Sequence, residues 1–143
     1  MAITAQQERE LLNAMQDYVD TTKRVDKFIN DLNAYGDISG RIAIEITQIH
    51  HMSVSEARNY IDGRTGRFQP GIRLHVCPSD KIQGLFNQLE AVTKDINNAP
   101  WTTKEAALRA VADRKNKVQE MAAKLKSQSD YDIVISRVKS QVK

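Results

Sequence analysis

Three histidines and one cysteine are the side chains in this sequence best suited to metal binding or nucleophilic chemistry. His75 and Cys77 lie two residues apart. On a strand they share one face, which is a usable ligand pair. His50 and His51 are adjacent, so they point apart on a strand and diverge on a helix, and only one of them could join the pair. Neither a Cys-x-x-Cys nor a His-x-x-x-His spacing backs a metal site. A Cys77–His nucleophile pair lacks a neighbouring oxyanion loop. We favour Cys77 as a small apolar packing residue. The carboxylates are scattered along helical stretches beside bases, as on solvated faces. The stretch Gly63-Arg64-Thr65-Gly66-Arg67 lacks the Lys-Ser/Thr ending of a phosphate-binding loop. The expectation is therefore a protein with no catalytic residues, no metal and no cofactor.

The segment from Gly63 to Arg73 is the most suggestive for binding. It carries Arg64, Arg67 and Arg73 with Phe68 among them and no acid. Arginines beside an aromatic ring on a turn suit contacts to phosphates and bases. Arg58 lies just before it, on a short helix read from Ser53 to Ile61, with Ser53 and Glu56 as its capping box. A helix-turn-helix ending in a wing would use these five residues as a nucleic-acid or anion site. Against it, His51 occupies a turn position that should be small. The plainer reading, which we favour, is a solvated loop whose arginines pair with Glu45, Glu56 or Asp62.

The elements that hold these residues are mainly helical. Thr4 and Gln7 form a capping-box pattern at the start of the first one. Leu11, Met15, Tyr18, Thr22, Val25, Ile29 and Leu32 then recur in steps of four and three. Such a seam needs a partner helix, from another chain or from the rest of this one. Gly36 reads as the residue that ends this helix. The middle, 37–78, reads as a small α+β or winged-helix-like segment. Ile42, Ile44 and Ile46 alternate with polar or small residues, which tips Arg41 to Ile49 toward a strand. Ile38, Ile42, Ile46 and Ile49 also fit one helix face. Gly71 to Cys77 reads as a second strand.

Residues 79–143 read as helices. Ile82, Leu85, Leu89, Val92 and Ile96 make a short seam broken by Asn97-Asn98-Ala99-Pro100. Thr102 and Glu105 suggest a capping box with Trp101 stapled before it. Leu108, Val111, Val118, Ala122 and Leu125 form the next stripe. Asp130 caps a last helix with Tyr131, Val134, Val138 and Val142 inside, although a short Ile/Val strand competes with it.

Composition agrees with this reading. The chain has 143 residues with 41% hydrophobic and 27% charged side chains, enough for one domain with a real core. A mean hydropathy of −0.52 suits a soluble chain. Six glycines, three prolines and 6% aromatics argue against an all-β sandwich. One cysteine excludes an internal disulfide, and the polar start and missing apolar run point to the cytoplasm with no membrane contact. The net charge of +3 hides a gradient: residues 1–36 hold 4 basic and 6 acidic side chains, and residues 101–143 hold 10 and 5. The two ends are thus complementary for antiparallel packing. The expected fold is mainly α, with long amphipathic helices in a bundle or coiled coil. The expected function is a non-catalytic, oligomeric interaction protein that binds a protein partner. The alternatives are a nucleic-acid binder and a small-ligand or anion binder at an oligomer interface.

Overall fold

The computed structural model describes residues 2–50 and 80–143, and among them it holds four α-helices and no strand. They are α1 (Ala5–His50), α2 (Asp80–Asn98), α3 (Lys104–Leu125) and α4 (Tyr131–Gln141). The chain packs as two compact units: Met1–Lys27 with Thr103–Lys143, and Phe28–Thr102. The mainly helical reading holds. The helix Ser53 to Ile61, the arginine loop and the strand Gly71 to Cys77 lie outside the described residues.

Helix α1 begins as its sequence dictates. The Thr4 hydroxyl accepts from the Gln7 backbone N–H at 3.1 Å, and the Gln7 side chain accepts from the Thr4 N–H at 2.9 Å. Two donors that a helix start leaves orphaned are thereby satisfied. The expected stop at Gly36 is overturned, because α1 continues 14 residues further, to His50. The strand reading of Arg41 to Ile49 falls with it. Burial explains why: Ile38 and Ile42 are buried one turn apart, whereas Ile44 is 51% exposed. That is a helical face, and packing outweighs the β-branched preference.

At Gly36 an added methyl group would meet nothing within 4 Å, so glycine answers no steric demand there. Gly36→Ala should raise stability by about 0.5–1 kcal/mol by restricting the unfolded chain. A thermal melt checks this, and a lowered melting temperature would contradict the continuous helix.

In the first unit, α3 runs antiparallel to α1. Moving up α1 from Glu10 to Asp17 moves down α3 from Met121 to Arg114. Helix α4 runs parallel to α1: Ile3 meets Asp130, Glu8 meets Arg137, and Gln16 meets Lys143. Leu11, Leu125, Val134 and Val138 form the core, flanked by Ile3, Leu12, Met15, Met121, Tyr131 and Ile135. The competing strand reading of the last segment is thus replaced by a helix. Of its expected inner face, Val134 and Val138 are fully buried, Tyr131 is half-buried beside them, and Val142 lies just past the end of the helix.

The cap of α3 sits one residue later than the sequence suggested. Thr103, not Thr102, is in extended backbone and accepts from the Ala106 N–H at 3.1 Å. Position 106 is alanine, so no reciprocal arm completes a box. The stripe shifts as well. Ala107, Ala110 and Leu125 are the buried residues of α3, while Leu108 is 47% exposed.

In the second unit, α1 from Phe28 onward packs against α2. Ile38, Ile42 and Ala43 join Ile82, Phe86 and Leu89 in one core. At the other end the Phe28 and Trp101 rings meet edge to face, 5.8 Å apart at 60°. The two helices are therefore antiparallel here.

Candidate functional site

The α1 seam is the feature from which any site must be built. Along the described helix, Leu11, Ala14, Tyr18, Thr21, Val25, Phe28, Leu32, Tyr35, Ser39 and Ile42 succeed one another in steps of three and four. All are buried except Tyr18, Leu32 and Tyr35, which are half-buried. Of the seam residues named from sequence, Leu11 and Val25 are buried, and Met15, Tyr18, Ile29 and Leu32 are half-buried. One row of the expected seam is thus the inward one: Leu11, Tyr18, Val25 and Leu32. The other row sits one residue earlier than expected, on Ala14, Thr21 and Phe28 rather than Met15, Thr22 and Ile29. Met15 and Ile29 are larger and carry the stronger hydrophobic signal. Small residues such as Ala14 let helices approach closely, and the larger side chains then cover the flank.

Hydroxyls on the helices are mostly satisfied by nearby helical groups. Thr22 donates to the Tyr18 carbonyl at 2.8 Å, Ser39 to the Gly36 carbonyl at 3.1 Å, and Thr21 approaches the Asp17 carboxylate at 3.5 Å. Thr93 on α2 is different. It is 5% exposed and its hydroxyl has no partner. A buried orphan hydroxyl costs free energy, so Thr93→Val should raise stability by about 1 kcal/mol. Urea denaturation measures it, and a loss of stability would mean that the hydroxyl finds a partner.

Charge complementarity between the two ends of the chain takes a concrete form in the first unit. Arg137 donates to both Glu8 carboxylate oxygens, the outer bond being 3.0 Å. That hydrogen bonding, and then the Glu8 charge, raises the Arg137 guanidinium above its ordinary value. The group therefore stays charged at any working pH, and its own titration supplies no switch near neutrality. Arg114 lies 3.5 Å from Asp17. Gln16 accepts from the Lys143 N–H at 3.1 Å and donates to its carbonyl at 3.3 Å, and Lys23 donates to that carbonyl at 3.1 Å. These contacts are on the exposed side, where such pairs contribute little stability but fix register.

The grooves follow from this packing. One of about 400 Å³ lies between α1 and α3, lined by Glu10, Asn13, Ala14, Asp17, Lys117 and Met121. A second, about 280 Å³, is lined by Ala5, Glu8, Arg9, Leu12, Arg137 and Gln141. In the second unit, Ile96, Asn97, Ala99, Trp101 and Thr102 line a third of about 610 Å³. The charged side chains Glu10, Asp17 and Lys117 are exposed to water. They are not held in the dry, preorganised setting that acid–base catalysis uses. Among the described residues no three His, Cys, Asp or Glu side chains are grouped to hold a metal. No helix among them is long and apolar enough to cross a membrane.

The other sequence candidates lie elsewhere. Arg58, Arg64, Arg67, Phe68 and Arg73, together with His51, His75 and Cys77, are outside the described residues. His50 ends α1. No protein-family model, curated protein or solved structure matches the chain.

Proposed function

We propose that this chain is a non-catalytic helical interaction protein that binds a protein partner, as an adaptor, inhibitor or assembly subunit in the cytoplasm. The observation that carries this reading is how the amphipathic helices are used. The seam of α1 is packed by α3 and α4 in one unit and by α2 in the other, so each unit has its own helical core. Among the described residues, three large aliphatic side chains remain outside these cores: Ile44 at 51%, Leu108 at 47% and Ile133 at 67% exposure. Aliphatic anchors on a helical surface are what a protein partner would cover.

The test is affinity capture from host lysate, with and without nuclease, using the intact chain and a Leu108→Asp/Ile133→Asp variant. Both positions are exposed, so the variant should keep its helical circular dichroism. The expected result is a protein held in both arms by the intact chain and depleted about tenfold or more by the variant. Capture that vanishes with nuclease would favour the nucleic-acid reading. Capture equal for both proteins would contradict the role given to Leu108 and Ile133.

A further inference from the structure

We propose that a second copy of this chain is itself a partner, and that α4 is the element exchanged: the α1–α3 groove of one copy receives the α4 helix of another. This stands apart from any heterologous partner.

Helix α4 is only 11 residues long and is secured by contacts that do not depend on its connection to its own α3. Val134 and Val138 fill the space beside Leu11 and Leu125. The Asp130 carboxylate accepts from the Ile3 N–H at 2.9 Å, Arg137 pairs with Glu8, and Gln16 holds Lys143. Each of these ties α4 or its flank to α1 or its leading segment. An α4 from another copy would supply the identical set, which makes exchange of an identical element a low-cost route to a dimer.

The turn that joins α3 to α4 is the second observation. It reads Lys126-Ser127-Gln128-Ser129-Asp130, with neither glycine nor proline. Lys126 already has helical backbone, φ −60° and ψ −30°. Asp130 makes no side-chain cap bond to α4. The turn contains backbone bonds of three-residue span: Lys126 to Ala123 at 3.4 Å, Gln128 to Leu125 at 3.0 Å and Tyr131 to Gln128 at 3.2 Å. If the turn straightens, helical bonds of four-residue span replace them. A helix running straight from α3 into α4 cannot fold back on its own groove, because α4 runs antiparallel to α3 in the closed chain. Val134 and Val138 then find cover only in another copy.

The experiment compares three full-length chains refolded over a range of concentrations: the native turn, Ser127→Ala/Ser129→Ala, and Ser127→Gly/Ser129→Gly. Mass is read by light scattering after size exclusion. Alanine favours a straight helix and glycine opposes it. Each dimer contains two turns, so dimerisation should be about tenfold or more tighter for the alanine chain than for the glycine chain. A dimer indifferent to the turn would place the contact elsewhere and overturn the exchange. So would an alanine chain that stays monomeric at every concentration.

Discussion

Phe86→Ala is expected to destabilise the chain by about 3–5 kcal/mol. Phe86 leads the largest fully buried side chains and has no exposed surface. It sits among Ile38, Ile42, Ala43, Ile82 and Leu89. Burial of an aromatic ring removes roughly 150–250 Å² from water, and the alanine leaves a void that two facing helices cannot close without losing their own contacts. Marginal folds have about 5–15 kcal/mol in total, so the loss takes a large share. Phe86→Leu keeps most of the volume and should cost less than half as much. Urea denaturation followed by helical circular dichroism measures both. A Phe86→Ala cost under about 1 kcal/mol would mean that the ring is not in a packed core.

Leu11→Ala is the corresponding change in the first unit, with an expected cost of about 2–5 kcal/mol. Leu11 is fully buried against Leu125, Val134 and Val138, so it is where α1 meets the rest of that unit. Met15 and Met121 flank the site, and their flexible thioethers can lean into the vacated space. The cost should therefore fall in the lower half of that range. Ile29→Ala is the control. Ile29 lies beside the buried row and is half-buried, so its loss should cost clearly less. Equal costs would return the seam to the Met15, Thr22 and Ile29 row.

The same physics decides what could be read from the sequence. The Thr4–Gln7 box was legible because capping is local: two side chains three residues apart satisfy each other's backbone whatever the tertiary context. Val134 and Val138 were legible because their spacing of four puts them on one face of a short helix. Gly36 misled because glycine weakens a helix by only about 1 kcal/mol, less than the burial of Ile38 and Ile42 beyond it returns. The Ile42-Ala43-Ile44 alternation misled for a related reason: β propensity reports fit to a half-buried surface, and here α2 supplies a helical one. The cap at Thr103 rather than Thr102 was not decidable, since adjacent threonines offer the same hydroxyl. Ala14 and Thr21 were missed because small inward residues give little hydrophobic signal, although the spacing of three from Leu11 and four from Val25 marks them. Of the site itself, the complementary charge of the two ends was legible, and it appears as Glu8 with Arg137 and Asp17 with Arg114. Which acid meets which base depends on the antiparallel α3 and parallel α4, and composition does not encode that.

The central claim is that the α1 seam is packed within the chain, by its own α3 in the first unit and its own α2 in the second. Spin labels at Asn13 and Lys117, on a Cys77→Ser background, test it most directly. Both positions are exposed and line the same groove between α1 and α3. The predicted result is strong dipolar broadening that is unchanged when the doubly labelled chain is diluted tenfold or more with unlabelled chain. Broadening that disappears on dilution would place the helix facing α1 in another molecule and contradict the account.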